Sequence, residues 1–364
     1  MIIEDISPGL LKKRIKDKRI YLFGAGRMAA HCVDIYFDTE HVHAVIDNNP
    51  ALWGKDIELH EQKIPVISSE EFVREVLGYT SGQVVLLITP GFYAWRIVEQ
   101  LNQIKSLDNI HCYLHTLLRN NGDDYQEFGF TVGEQKIPKV IHYFWFGKKE
   151  IPKNLKNYIE SWKRCCPDYQ IIQWDESNYD VNKIPYISDA YENRAWGFVS
   201  DYARLDILYE YGGIYLDTDV EVLKSFDPLL NDDAFFGMGG NDQINTGSGF
   251  GAIPKHLFIK KLRDYYKEKS FYKEDGSANL LPCYNYQHPI FRVYGFEIKN
   301  IYQKRNGIVV YPAQVLSPTG VAGMGKFYSD KTVSVHHTEF SWIKDEERQA
   351  LNEMKKKLKE YGIA

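Results

Sequence analysis

The chain has 364 residues, of which 44% are hydrophobic and 26% are charged. Its length exceeds what one hydrophobic core usually organises, so the sequence predicts two domains, and its composition excludes a largely disordered chain. The formal net charge of -5 excludes a general attraction for polyanions, so we expect no nucleic-acid partner.

The first 20 residues alternate apolar and charged side chains without a long apolar run. Such a segment is neither a secretory signal nor a membrane span, so we expect a cytoplasmic protein without a transmembrane segment. The cysteines are odd in number and lack the short paired spacings of a zinc site, so we expect reduced thiols. They are Cys32, Cys112, Cys165, Cys166 and Cys283.

Residues 1–125 are predicted to form a Rossmann-like domain with a parallel sheet. A short apolar strand at 19–23 meets a glycine turn, and helical spacing follows at 28–37. Further strands are predicted at 42–46 and 84–89, the latter followed by a helix at 95–104. This alternation is typical of a parallel α/β domain.

The glycine turn of this domain has the ingredients of a dinucleotide fingerprint. Gly24-x-Gly26-x-x-Ala29 follows a strand, and Asp47 ends the next one. NAD binding would make the chain an NAD-dependent sugar-nucleotide oxidoreductase. The domain also resembles the small nucleotide-binding-like domains at the front of sugar acetyltransferases, in which the turn need not bind NAD. A nucleotide-sugar-related role and the support of an interface therefore stay open beside cofactor binding.

A polar, glycine-containing run at 126–136 is predicted to be a linker, and a second α/β domain is predicted at 137–343. A helix at 344–364 closes the chain. The glycine pair Gly212-Gly213 marks the end of the longest helix of the second domain. The predicted elements are a strand at 139–146, a helix at 154–164, a strand at 169–174, a helix at 195–211, a strand at 214–216, a helix at 254–268 and a strand at 332–336.

The strongest chemical signal is a pair of carboxylates. Asp217 and Asp219 lie two residues apart at the end of an apolar strand, so their side chains project to the same side and can share one divalent cation. Oxygen ligands favour Mg²⁺ or Mn²⁺, which can bridge to the phosphates of a nucleotide. Asp201 and Arg204 share a helical face and form either a surface ion pair or an acceptor and donor for sugar hydroxyls.

Four runs of the sequence together resemble the family 32 glycosyltransferases of polysaccharide synthesis and, more distantly, the glucosylating bacterial toxins. The resemblance covers about 137–342 and is most specific from Ser200 to Asp219. It implies a GT-A-type fold and an enzyme that transfers a hexose with retention from a UDP-sugar. The runs are IPKVIHYFWFG at 137–147, SWKRCCPDY at 161–169, FVSDYAR at 198–204 and YEYGGIYLDTD at 209–219.

The acceptor implied by this resemblance is a hydroxyl of a saccharide or lipid-linked saccharide, in capsular or surface polysaccharide synthesis. Peripheral membrane association stays open. The sequence shows no convincing enzymic nucleophile, so a same-face substitution fits retention better than a covalent intermediate. A third hypothesis is a non-catalytic sugar-binding protein, but the intact Asp201, Arg204, Asp217 and Asp219 argue against it.

The resemblance also implies roles for single residues at the nucleotide end. Trp145 stacks on the nucleobase and Tyr215 lines the nucleotide pocket. Asp217 contacts the ribose, the metal or both. Ser341 and Trp342 form part of a lid over the diphosphate.

At the sugar end, the resemblance assigns Asp201 and Arg204 to the donor-sugar hydroxyls and places Asn245 beside the sugar. Asp219 binds the Mn²⁺ or Mg²⁺ ion directly, and the end of the chain supplies a further ligand. Strand alternation sends His336 and His337 to opposite faces, so we expect only one of them to reach the metal and favour His337. Glu339 is a rival ligand.

Overall fold

The computed structural model describes residues 1–37, 42–59, 62–120, 127–239, 243–319, 327–338 and 345–363. The chain divides into two compact units. The described residues up to 120 and from 345 onward form the first unit, and those from 127 to 338 form the second. Both units are α/β structures with parallel strands.

The first unit contains a seven-stranded sheet with helices between its strands. Its elements are β1 (Ile2–Glu4), α1 (Pro8–Arg14), β2 (Arg19–Phe23), α2 (Arg27–Tyr36), β3 (Val42–Ile46), β4 (Asp56–Leu59), β5 (Gln62–Ile67), α3 (Ser69–Val76), β6 (Val84–Ile88), α4 (Ala94–Asn102), β7 (His111–Leu114) and α5 (His115–Asn120). The strand order is β1-β7-β6-β2-β3-β5-β4, and only the β4–β5 pair is antiparallel. Every residue of β6 is buried, as expected for an apolar strand covered on both faces.

The glycine turn between β2 and α2 is fixed by its own neighbours. Gly24 has φ +104°, and a Cβ there would lie 2.9 Å from the Thr89 hydroxyl oxygen, so only glycine fits. The Asp47 carboxylate accepts hydrogen bonds from the backbone N–H of Ala25 and of Asn49, both at 2.8 Å. Both carboxylate oxygens of Asp47 therefore stabilise the turns around them.

The second unit contains a mixed eight-stranded sheet and a separate two-stranded ribbon. Its elements are β8 (Val140–Phe144), α6 (Lys153–Cys165), β9 (Gln170–Trp174), α7 (Pro185–Glu192), α8 (Trp196–Tyr211), β10 (Gly213–Tyr215), β11 (Val220–Val222), β12 (Ala234–Gly239), β13 (Gln243–Ile244), β14 (Phe250–Ala252), α9 (Leu257–Tyr265), α10 (Cys283–Val293), β15 (Gln303–Arg305), β16 (Ile308–Tyr311), α11 (Ala313–Leu316) and β17 (Ser334–His336). The sheet order is β15-β16-β12-β14-β10-β8-β9, with β13 paired to β12. The ribbon consists of β11 and β17, which are antiparallel.

The turn from α8 into β10 positions the residues that follow it. The helix ends at Tyr211 and is capped by Gly212, whose φ is +66° and where a Cβ would lie 2.7 Å from the backbone nitrogen of Pro254. β10 then pairs with β8 in parallel. Because parallel strands end at the same edge of a sheet, Trp145 after β8 and Asp217 after β10 emerge at one edge, where α/β proteins usually bind ligands.

Two segments differ from the sequence-based expectation. Residues 127–136, interpreted as a linker, pack in the second unit: the Phe128 ring stacks on Tyr302 at 5.1 Å, and the Lys136 N–H donates to the Leu230 carbonyl at 2.8 Å. The last helix, α12 (Asp345–Glu360), belongs to the first unit and packs on α4. Arg96 Nε lies 3.1 Å from Glu353 Oε2 in this contact.

Candidate functional site

Asp217, Asp219 and His336 form a compact group of metal-binding side chains. One ligand atom from each lies within 4.8 Å of the others, and His336 Nε2 is 3.2 Å from Asp219 Oδ1. The two aspartates follow β10, and the ribbon brings the histidine to them because Val220 pairs with His336. Two carboxylates and one imidazole are a donor set that fits a divalent cation.

The structure corrects the preference for His337 as the metal ligand. Its Nε2 lies 2.9 Å from Glu221 Oε2, and its ring stacks on Tyr158 with centroids 4.4 Å apart. The two histidines do point to opposite faces, as alternation predicts, but the ribbon register places His336 on the aspartate side. Glu339, the rival ligand, lies outside the described residues.

Arg204 lies between two acidic residues of the site. Its Nη2 is 2.6 Å from Asp201 Oδ1, and its Nη1 is 3.8 Å from Asp217 Oδ1. Its guanidinium also lies over the Tyr215 ring, with Cζ 4.9 Å from the ring centroid. Only 4% of the Arg204 side chain is exposed, so the Asp201–Arg204 pair is not a surface ion pair. The charges of this buried pair can therefore interact only with a ligand that enters the site.

Tyr215 connects this ion pair to the first aspartate. Its hydroxyl donates a 2.6 Å hydrogen bond to Asp217 Oδ1, and burial raises the pKa of Tyr215, so the phenol stays protonated and keeps donating. Tyr215 is itself held in β10 next to His142 of β8. Burial lowers the pKa of His142 to about 4, and its Nε2 donates to the Gly212 carbonyl at 3.0 Å. The strand that carries Tyr215 thus has a neutral buried neighbour.

The loop between β13 and β14 approaches Asp217 so closely that it requires glycine. A Cβ on Gly247 would lie 2.3 Å from Asp217 Oδ2. The Gly247 carbonyl accepts the Asp217 N–H at 3.2 Å, and the Gly247 N–H donates to Asn245 Oδ1 at 2.9 Å. Asn245 is therefore part of the same cluster. Gly247 was not predicted from the sequence, although the two closely spaced glycines of Ile-Asn-Thr-Gly-Ser-Gly indicate a turn or a close backbone approach.

The charges of the site favour a cation. Burial raises the pKa of Asp201 to about 6, with Arg204 opposing the shift and Asp217 adding to it. Burial also raises the pKa of Asp217, where Arg204 again opposes and Asp219 adds to the shift. Burial alone would lower the pKa of His336, but the Asp219 carboxylate raises it above its usual value. Two neighbouring carboxylates thus repel one another and attract positive charge.

Trp145 is half-buried rather than part of the core. Its Nε1 donates to the Lys149 carbonyl at 2.5 Å, which fixes the orientation of the indole. With Gln173 of β9 and Ser177 of the loop after that strand, it lines a cavity of about 420 Å³. Ser341 and Trp342, assigned to a lid, lie outside the described residues.

Comparison with known proteins identifies a related region in this part of the chain. Residues 152–236 match the family model described as a glycosyltransferase sugar-binding region containing a DXD motif. Inositol phosphoceramide mannosyltransferase 1 of Schizosaccharomyces pombe is 33% identical over 135 residues, which are 34% of this chain and 41% of the relative. The mannosyl phosphorylinositol ceramide synthase SUR1 of Saccharomyces cerevisiae is 33% identical over 141 residues, 36% of each chain. The chain thus spans less than half the length of these relatives.

Two solved glycosyltransferase structures are also similar. PaToxG glycosyltransferase has 19% identity and a TM-score of 0.37, over 44% of this chain and 70% of that one. A glycosyltransferase involved in glycosylation of the major capsid of PBCV-1 has 14% identity and a TM-score of 0.34, over 60% of this chain and 100% of that one. The family-model match over residues 152–236 includes Asp201, Arg204, Asp217 and Asp219, so this stretch is similar to the sugar-binding region of DXD-containing glycosyltransferases.

Proposed function

We propose that this protein is a metal-dependent glycosyltransferase that moves a hexose from a UDP-sugar to a hydroxyl acceptor with retention of the anomeric configuration. The observation that carries the proposal is the contact between two groups: Asp217, Asp219 and His336 on one side, and the buried Asp201–Arg204 pair on the other. The first group suits a cation and its diphosphate, and the second suits sugar hydroxyls. The match to a sugar-binding region over 152–236 supports the same activity.

Asp217, Asp219 and His336 would hold the Mn²⁺ or Mg²⁺ ion. When bound, the ion supplies positive charge to the departing diphosphate. His336 is buried and Asp219 is largely buried, so their approach to the ion is fixed by the ribbon rather than by flexible side chains. Such fixed charges need no rearrangement at the moment of reaction.

The side chains at the sugar end have complementary hydrogen-bonding capacity. Asp201 can accept from sugar hydroxyls and Arg204 can donate to them, while each keeps the other oriented. The side-chain oxygen Oδ1 of Asn245 already accepts the Gly247 N–H, which leaves the side-chain NH2 group of Asn245 as a donor. A hexose with several hydroxyls matches this mixture of donors and acceptors.

Retention is proposed to follow a same-face substitution. The acceptor hydroxyl oxygen attacks the anomeric carbon as the bond from that carbon to the diphosphate oxygen breaks, and this oxygen takes the acceptor proton. The positive charge of Arg204 lies 3.8 Å from Asp217 and adds to the field in which the diphosphate leaves.

The nucleobase is proposed to stack on Trp145 in the cavity between the ends of β8 and β9. The proposed architecture is a Rossmann-like domain followed by a GT-A-type domain. Such domains bind their ligands at the ends of parallel strands, and the proposal is supported by β8 and β10, which pair in parallel and so end at one edge of the sheet.

The acceptor is proposed to be a saccharide or lipid-linked saccharide in the synthesis of capsular or other surface polysaccharide, in the cytoplasm. Among the helices of the described ranges, none is long and apolar enough to cross a bilayer. The fungal relatives are named for transfer of mannose to inositol phosphoceramide, so mannose and lipid-linked acceptors belong in any test.

The test is a panel of UDP- and GDP-linked hexoses, assayed with Mn²⁺ for slow donor hydrolysis without acceptor. We expect release of the nucleoside diphosphate from at least one donor, loss of this release with a chelator, and recovery when Mn²⁺ is added back. A matched control is Glu160→Gln, which alters an exposed side chain of α6. Absence of hydrolysis with every donor, together with absence of nucleotide binding, would contradict the proposal.

A further inference from the structure

Helix α10 directs several buried side chains toward the sugar end of the site. Cys283 and Gln287 are four residues apart and share one helical face, and His288 is next to that face. All three are buried. No site residue on this helix was predicted from the sequence, and the function proposed above does not use it.

His288 holds the strand that leads to Asn245. Its Nε2 accepts the backbone N–H of Ile244 at 3.1 Å, and both residues are buried. An acceptor Nε2 means that the ring proton is on Nδ1. Because Ile244 directly precedes Asn245, this hydrogen bond fixes the start of the loop whose Gly247 abuts Asp217.

Cys283 and Gln287 hold the middle of the same loop. Thr246, which is fully buried, has its hydroxyl 3.8 Å from Cys283 Sγ and 3.3 Å from Gln287 Nε2. Burial raises the pKa of Asp201 to about 6, and the Cys283 thiol opposes this shift. Cys283 and Gln287 therefore both contact Thr246, in the loop that carries Asn245.

We propose that α10 is a positioning element for the donor sugar, acting through His288 on Ile244 and through Cys283 and Gln287 on Thr246. This inference rests on the proposed function. The helix thereby holds the loop that carries Asn245, which forms one wall of the sugar end. Since a displacement of roughly 1 Å in a reacting geometry can reduce the rate about 100-fold, small shifts of this wall matter for turnover. The contacts described above are made by Ile244 and Thr246 on the sugar side, so they should affect turnover more strongly than nucleotide affinity.

The experiment compares Cys283→Ala with Cys283→Ser and His288→Phe with His288→Gln. Val293→Ala, an exposed change at the end of the same helix, is the matched control. Donor hydrolysis is measured with UDP-glucose and GDP-mannose in Mn²⁺, and the affinities for UDP and GDP are measured by calorimetry. We expect kcat to fall about tenfold or more in the alanine and phenylalanine variants, with a much smaller change in nucleotide Kd and with partial recovery of kcat in the serine and glutamine variants.

Two results would overturn this inference alone: wild-type kcat in both Cys283→Ala and His288→Phe, or a loss of nucleotide affinity that equals the loss of kcat. The second result would indicate general damage to the unit rather than a displaced sugar wall. A wild-type protein that neither binds nor hydrolyses a nucleotide sugar would instead overturn the proposed function and this inference with it.

Discussion

His336 Nε2 lies 3.2 Å from Asp219 Oδ1, and the next residue, His337, lies on the other face of the ribbon against Glu221. This relationship assigns the two histidines different roles. We predict that His336→Ala weakens Mn²⁺ binding by about 10-fold or more, whereas His337→Ala changes it far less. Titration of both variants with Mn²⁺ separates the two residues, and equal losses would show that the ribbon is merely destabilised.

Asp219→Ala is predicted to abolish Mn²⁺-dependent donor hydrolysis while the protein stays folded. The side chain is at the site rather than in the hydrophobic core, so its removal deletes a ligand without leaving an apolar cavity. Activity is measured across a Mn²⁺ titration, and the thermal unfolding of the variant serves as the control. Full activity at any Mn²⁺ concentration would reject Asp219 as a metal ligand.

Trp145→Ala is predicted to weaken UDP binding in the presence of Mn²⁺ by ~1–3 kcal/mol, the scale of base–aromatic stacking. The half-buried indole is oriented by its hydrogen bond to Lys149 and lines the 420 Å³ cavity. Trp145→Phe keeps an aromatic face and should retain most of the affinity. Calorimetry that gives the wild-type Kd for the alanine variant would exclude stacking.

Asp206 is predicted to stabilise the second unit rather than to act on substrate. It is buried on α8, where its carboxylate lies 2.6 Å from Lys183 Nζ and 3.3 Å from Arg263 Nη1. Asp206→Ala removes the acceptor of Lys183 and of the Tyr179 hydroxyl, whereas Arg263 keeps Asp264 at 2.8 Å, so the change should lower the free energy of unfolding by about 1–3 kcal/mol. Denaturant unfolding measures this. For comparison, Glu160→Ala removes an exposed ion pair with Lys163 and should lower the free energy of unfolding by less than ~1 kcal/mol.

The first unit is predicted to bind no NAD tightly. Both carboxylate oxygens of Asp47 already accept backbone N–H groups, so the residue has less capacity left for a ribose. Gly26→Val is an informative variant because a Cβ at Gly26 meets no atom within 4 Å, so the fold should tolerate it. Micromolar NAD binding by calorimetry that is lost in this variant would revive the oxidoreductase hypothesis.

The sequence predicted the elements that carry strong local signals. Gly212-Gly213 marked the end of α8, and the structure places that end at Tyr211 with β10 following directly. The sequence did not predict β12, β14 and β16, which lie side by side in the middle of the second sheet. Their runs are short, and their pairing joins segments far apart in the chain, so no local pattern reveals them.

The sequence predicts the two aspartates of the candidate metal site, but it does not predict the third ligand, His336. Asp217 and Asp219 follow from spacing along one strand. Which of His336 and His337 reaches the aspartates depends on which of them pairs with Val220. The pairing register of two strands so far apart in the chain cannot be predicted from the sequence of either strand alone. The same holds for α10, whose contacts with Ile244 and Thr246 appear only when the chain is folded.

The placement of α12 on α4 has a consequence for how the protein emerges from the ribosome. Domains generally fold as units during synthesis, beginning with the N-terminal one. Here the first unit is complete only when residues 345–360 reach α4, after the entire second unit has been translated. The apolar surface of α4 that α12 covers is therefore exposed throughout elongation, and the nascent chain offers chaperones a binding surface that the finished protein no longer has.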